Sequence, residues 1–306
     1  MDNILSKKHY RRSFFTVVTL VLVIAFFVRF IGVPHFDPNA KVDLTTFAVS
    51  ILDTLTVSLL ITVFIGSFVF WLTPEIIKKS TMDVIEPKEI NPLFKKAAAD
   101  TKTWIIKGAC GRYTRAVTIP SLAQSAKHEG IGRDIRIIML DPAKVDTCEE
   151  YANYRRSLKS ASTRGPWTKE KVQEEVIATI LTALQFKYKE PLLTINIHLA
   201  STFSAFRLDI SDSYVIVTKE DKEAAGLRAD AGTYFYNSYK DETRLVERQS
   251  KKVQFDGPVE INKNTSKEDL NRLILDVGLL SEQEVEQVSL ENILSFINDP
   301  KEPYSK

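Results

Sequence analysis

Two long apolar runs dominate the first quarter of the chain, and shorter alternating segments fill the rest. The first run, FFTVVTLVLVIAFFVRFIGV over residues 14–33, is interrupted only by Arg29; the second, residues 47–72, contains only Asp53. At about 1.5 Å per helical residue, each is long enough for a hydrocarbon layer about 30 Å thick. A buried helix of a soluble protein would explain one such run, but two in succession predict a transmembrane hairpin. A cleaved signal peptide fits poorly, because the first run is too long and no small-x-small cleavage site precedes the second. Lys7, Lys8, Arg11 and Arg12 precede the first run and Lys78 and Lys79 follow the second, whereas the connecting residues 34–46 set Lys41 against Asp37 and Asp43. This bias predicts both termini in the cytoplasm and residues 34–46 outside, with Phe70 and Trp71 near the inner boundary as interfacial anchors.

The two charges inside the runs are costly there. Arg29 is expected about 6 Å from the outer end of the first span and Asp53 about 9 Å from the outer start of the second. Antiparallel neighbours would let them pair as an intramembrane functional pair. The alternative has Arg29 reaching the outer headgroups and Asp53 facing the interior of an oligomer.

Beyond the membrane the pattern changes. Residues 73–100 are polar and carry Pro87 and Pro92, which predicts a connector rather than one rigid helix. TWIIKGAC reads as a strand, GRYTRAVT as a turn-like loop, and the next segment as a helix with Thr118 as cap and Pro120 in its first turn. DIRIIMLDP is a second strand, EEYANYRRSLKS a helix, and residues 168–188 a stronger helix with Val172, Val176, Ile177, Ile180, Leu181 and Leu184 on one face. LLTINIHLA is another strand, and FRLDISDSYVIVTKE a hairpin turning at Ser211-Asp212. A helix through YFYNSYKDETRLVERQS closes the series. Strand, helix, strand, helix, helix predicts an α/β domain with a partly parallel sheet over residues 101–260.

Residues 261–306 form a separate helical tail. Thr265 with Glu268 and Ser281 with Glu284 have capping-box spacing, and Gly278 is a helix stop between them. From Thr265 onward there are nine acidic and four basic residues. Solvated helices resting on the main domain are the plain expectation, and a docking module for a partner the sharper one.

The net charge of +2 says little, but charge is segregated: residues 102–171 hold fourteen Lys and Arg against seven Asp and Glu. Arg112, Tyr113 and Arg115 in the first loop, Asp141 at the end of the second strand, and Arg155, Arg156 and Lys159 on the following helix lie near the C-terminal ends of the first two strands. Open α/β sheets bind ligands at that end. Arginine's planar fork suits phosphate, and Tyr113 or Tyr154 offers a stacking surface for a base. These residues are candidates for a nucleotide or nucleic-acid site, against the competing readings of solvated helix faces and contact with anionic lipids.

Catalytic signatures are sparse. The sequence has no Walker loop, glycine-rich dinucleotide fingerprint, G-x-S-x-G, CxxC or HExxH, so no cofactor, no metal and no enzyme activity is expected. Cys110 and Cys148 stand alone, which favours a reducing compartment over a disulfide framework. His9 and His35 lie outside the α/β domain, and His198, beside Asn196 on a strand, reads as a structural histidine.

The succession TWIIKGACGRYTRA, DIRIIMLDP, YANYRRS and ISDSYVIVT resembles a phospholipase D-like half-domain over about 120 residues. Active members of that superfamily carry an H-x-K pair, but His128 is followed by Glu129-Gly130 and His198 by Leu199-Ala200. The resemblance therefore implies a silent binding domain. The overall plan resembles two-transmembrane effectors of bacterial anti-phage defence, of the retron-associated type. That likeness implies a bacterial inner-membrane toxin. It would be restrained by a reverse transcriptase and its DNA–RNA product, or gated by a nucleotide ligand, and would act on membrane lipids as a homo-oligomer. A membrane-tethered phosphodiesterase and a passive anchor that recruits a complex are the alternatives.

Overall fold

The computed structural model describes residues 8–28, 31, 35, 44–72, 80–158, 166–221 and 223–303. The chain divides into two units, Met1–Lys78 and Lys79–Lys306.

The first unit contains α1 (Lys8–Phe27) and α2 (Leu44–Leu72). Among the described residues, one helical stretch, Ala48–Val69, is long and apolar enough to cross a membrane; α1 carries only the shorter apolar stretch Phe15–Ile24. This corrects the expectation of two equivalent spans. Of the expected first span, residues 14–33, residues 29, 30, 32 and 33 lie outside the described residues. Arg29 lies outside the described residues, as does its expected pairing, while Asp53 lies on an exposed face of α2. Helix α2 is apolar all round, with Leu55, Phe64, Phe68 and Trp71 exposed. Its Thr54, Thr56 and Thr62 hydroxyls donate to carbonyls one turn back at 2.7–2.8 Å, so these polar groups need no water.

The second unit begins earlier than the sequence suggests. After β1 (Asp83–Ile85), the expected connector is a helix, α3 (Pro87–Asp100). Pro87 sits in the first turn, where its missing N–H has no intrahelical partner to lose, and the Glu86 N–H donates to Glu89 Oε2 at 3.2 Å. Pro92 interrupts the helix interior, but burial of Ile90, Phe94, Ala97 and Ala98 offsets the lost backbone bond.

Among the described residues the sheet has eight strands in the order β1-β7-β6-β5-β2-β3-β4-β8. β2 (Thr103–Lys107), β3 (Arg133–Leu140) and β4 (Leu193–Ala200) are parallel. Their crossovers are α4 (Ile119–Glu129), then α5 (Val145–Ser157) and α6 (Lys169–Lys189). The hairpin of β5 (Phe206–Ile210) and β6 (Tyr214–Lys219) adds antiparallel to β2, followed by β7 (Gly226–Asp230), while β8 (Lys251–Lys252) pairs with β4. The partly parallel α/β fold is thus present, with β1, β7 and β8 in addition to the expected strands. The expected apolar face of α6, Val172 to Leu184, is buried throughout. On the opposite sheet face, α7 (Tyr234–Gln249) covers Ile105, Leu208, Ile210, Val215 and Val217, and its Tyr236 hydroxyl donates to the Ser211 carbonyl at 2.9 Å.

The acidic C-terminal segment is part of this core. In α8 (Lys267–Val277), α9 (Glu282–Val285) and α10 (Leu290–Asn298), Leu270, Ile274 and Ile293 are fully buried against the same cluster as α6. Ser266, not Thr265, caps α8, accepting the Asp269 N–H at 3.1 Å, whereas Thr265 accepts the Asn262 N–H. The other capping box forms as expected, Ser281 N–H to Glu284 at 2.8 Å, and Gly278 ends α8 at φ 70°.

Glu174 ties α6 to this segment, accepting from Ser289 N–H at 2.9 Å and Asn292 Nδ2 at 3.0 Å. Burial pushes its carboxyl above the usual 4.5 despite those bonds. Between 4.5 and the raised value the folded chain holds a proton that the unfolded chain releases, so this group's contribution is largest in acid and is lost as pH rises through the folded pKa. Thermal unfolding of Glu174→Gln should accordingly show a flatter pH dependence than wild type from about pH 4.5 upward. Parallel curves would mean that Glu174 does not titrate in this way.

Candidate functional site

The ladder between β2 and β3 continues past Lys107 through Gly108 N–H to Ile138 O at 3.0 Å and Leu140 N–H to Ala109 O at 3.3 Å. Gly111 then turns the chain at φ +65°, where a Cβ would stand 2.7 Å from Thr179 Cγ2. The expected GRYTRAVT loop is helical instead: Arg115 N–H bonds Gly111 O at 2.9 Å, and a π-helical turn, Thr114–Thr118, leads into α4. The turn brings Arg112 and Arg115 to the two oxygens of one carboxylate, Glu175, with Arg115 the more deeply buried.

At this end of β2 and β3 lies a cleft of about 70 Å³ whose lining includes Arg112, Arg155, Trp167, Arg207, Lys219 and Glu220. Arg112 Nε meets Glu175 Oε1 at 3.1 Å, and its terminal nitrogens have no hydrogen-bond partner among the described residues. Arg155 lies 4.8 Å over the Trp167 ring, donates to the Glu220 carbonyl, and has the Glu220 carboxylate at 3.6 Å. Arg112 and Lys171 also face that indole, at 5.6 and 5.3 Å. Arg207 is held by Asp209 at 2.6 and 2.8 Å and lies 5.3 Å from the rings of both Phe94 and Tyr113. Burial pushes the Asp209 carboxyl up, against the pull of Arg207.

The expected site residues divide. Arg112 and Arg155 line the cleft, and Tyr113 lines it too, but as a core residue: its ring packs on Phe94 at 5.2 Å and its hydroxyl donates to Asn91 at 2.7 Å. It offers no free face for stacking a base. Arg115 is withdrawn and buried, bonded to Glu175 Oε2 at 2.6 Å, the Glu175 carbonyl at 3.0 Å and Thr179 at 2.9 Å. Asp141 closes β3 by accepting the Ala143 N–H at 3.0 Å and does not line the cleft. Arg156 donates to the Trp167 carbonyl and to Asn153, so it braces the Trp167 backbone from outside the lining. Lys159 lies outside the described residues. Tyr154 packs on Phe203 at 5.8 Å.

Arg207, Lys219, Glu220 and Trp167 are additions that sequence reasoning missed. The visible signal was Arg207 and Asp209 alternating with Leu208 and Ile210. That pattern normally marks a solvent face, but here both sheet faces are covered. Cys110 also lines the cleft, and burial with Glu175 nearby pushes its thiol well above the ordinary value, so it stays protonated and poorly nucleophilic. His198 is a structural residue away from the cleft, 3.3 Å from Glu247, with burial lowering its pKa.

No family model and no curated protein matches the chain. Among solved structures, TrmBL2, an archaeal chromatin protein with a novel mode of DNA binding, aligns over 68% of this chain and 67% of its own at 10% identity. The TM-score of 0.32 is too low to carry an argument.

Proposed function

We propose that the chain is a membrane-anchored effector whose Lys79–Lys306 unit binds a phosphate-bearing ligand in the cleft and so controls the membrane segment. The convergence of Arg112, Arg155, Arg207 and Lys219 on one small cleft carries this reading. Arginine forks in a partly buried site give strong charge-assisted bonds to phosphate oxygens. A protonated Cys110 and the missing H-x-K pair favour binding over hydrolysis. The domain in this reading is a phospholipase D-like half-domain without catalysis. The all-round apolar surface of α2 calls for lipid or sister helices around it, which supports an inner-membrane, oligomer-forming anchor. A role in anti-phage defence at the bacterial inner membrane, under a nucleotide or nucleoprotein trigger, completes the proposal and rests on the sequence patterns.

Expression in bacteria with a voltage-sensitive dye tests it. The full chain should depolarise cells when released from its trigger's control. Asp53→Leu should blunt that effect at equal membrane abundance, and Arg155→Gln or Lys219→Glu should remove the response to the trigger. Binding of nucleotides by these two cleft variants should weaken by about 100-fold and about tenfold respectively. Equal toxicity of the isolated Lys79–Lys306 unit would replace the membrane mechanism with an enzymatic one.

A further inference from the structure

The cleft is small and its cations are unevenly committed. About 70 Å³ leaves room for only a few waters, at about 10–15 Å³ each, and is far below the about 300 Å³ where pockets for drug-sized ligands begin. That room suits one tetrahedral phosphoryl group among the cations, with the rest of its molecule lying toward the open side of the cleft. Arg115 and Arg156 are bonded elsewhere, so the arginines do not form a track along which successive phosphates of a strand would lie.

The carboxylates around the cleft differ in their freedom. Glu175 is nine-tenths buried and shared between Arg112 and Arg115, and Asp209 is buried on Arg207. Glu220 is different: its side chain is 25% exposed and its carboxylate stands 3.6 Å from Arg155, too far for a hydrogen bond. Arg155, itself only 9% exposed, has its Nε buried without a hydrogen-bond partner. Its charge is met by the Glu220 carbonyl and the Trp167 ring but by no carboxylate within hydrogen-bond distance, which leaves a place beside it for a stronger anion. Lys219, on the same rim, lies 5.8 Å from the Phe206 ring and makes no ion pair among the described residues.

We infer that the cleft takes a single phosphoryl dianion, the end group of a phosphomonoester, and that Glu220 is the internal carboxylate this group displaces from Arg155. The inference deepens the function proposed above and rests on it. A phosphomonoester brings about two charges and three terminal oxygens, enough to meet the Arg155 charge, the Arg112 terminal nitrogens and Lys219 together. An internal phosphodiester has one charge and two terminal oxygens, so it leaves one of these three groups without an anionic partner. Glu220 thereby sets both specificity and threshold: singly charged anions do not outcompete it, and a dianion does.

Calorimetric titration of the detergent-solubilised full chain tests this. The probes are inorganic phosphate, a nucleoside 5′-monophosphate, its 3′,5′-cyclic diester, and a short oligonucleotide with and without a 5′-phosphate. The monoesters should bind, with the cyclic diester and the unphosphorylated oligonucleotide at least about tenfold weaker. Glu220→Gln keeps the size and the backbone contact but removes the competing charge, and should tighten monoester binding by about tenfold without lowering the melting temperature. If the phosphorylated oligonucleotide binds as well as the mononucleotide, a nucleic-acid end is the source; binding of the mononucleotide alone points to a free nucleotide. Equal affinity for monoester and diester, or no gain in Glu220→Gln, would overturn the inference while leaving an anion site in place. Failure of every probe to bind would remove the site itself.

Discussion

A chain ended after Asn264 is expected to lose the cooperative unfolding of the Lys79–Lys306 unit altogether. The truncation removes Leu270, Ile274 and Ile293, all fully buried, together with Val277, Leu279 and Val285. Full burial of one such side chain is worth about 1.5–3 kcal/mol, and several together exceed the about 5–15 kcal/mol by which a domain is stable. The cut also strips Glu174 of Ser289 and Asn292, leaving a buried carboxyl without its partners. Near-ultraviolet circular dichroism during heating should show no sigmoidal transition for the truncated chain. An unchanged melting temperature would make the segment a dispensable docking module, as its acidity first suggests.

Replacing Glu175 with alanine should cost about 3–5 kcal/mol, because it strands two guanidinium groups at once. Glu175 reaches Arg112 at 3.1 Å and Arg115 at 2.6 Å, and the side chains of both Glu175 and Arg115 are nearly inaccessible. Burying an ion pair gains little over an apolar pair, but removing one partner leaves charge in a low-dielectric setting with no compensation. The double variant Glu175→Leu with Arg115→Met should therefore recover much of the loss seen in Glu175→Ala. It should not recover phosphate binding, since Arg112 would lose the carboxylate that orients it. Urea denaturation read by tryptophan fluorescence measures the first effect, and a cost below about 1 kcal/mol for Glu175→Ala would contradict the account.

The C-terminal segment and the cleft meet at α6. Glu174 and Glu175 are adjacent, yet one holds the C-terminal segment and the other orients Arg112 at the cleft. Their helix is buried over most of its length, which is why neighbouring positions face different partners without either reaching water. Damage to the C-terminal segment is therefore expected to disturb the cleft through α6.

Periodicity made much of the fold legible. The apolar stretch of α2, the stripe from Val172 to Leu184, the strand at residues 192–200 and the hairpin turning at Ser211-Asp212 all follow from spacings within one element. The Ser281 cap and the Gly278 stop are equally local. Misreadings arose where local rules compete with burial. Pro87 and Pro92 read as breakers, but Pro87 begins a helix and the buried face of α3 carries Pro92.

The candidate site was legible by region and not by residue. A concentration of arginine near the ends of the first two strands pointed to the right edge of the sheet, because chain order there follows from the alternation of strands and helices. Which arginines face the cleft depended on contacts distant in sequence. Arg115 was drawn inward by Glu175, sixty residues away, and Arg207 was brought in by a hairpin that pairs with β2. The amino-acid sequence by itself determined the apolar helix, the α/β pattern and the excess of positive charge, since each is a property of neighbours along the chain. Only the tertiary structure decided which charges are neutralised and which face the cleft, because a guanidinium's direction is set by the nearest buried carboxylate rather than by its place in a helix or strand.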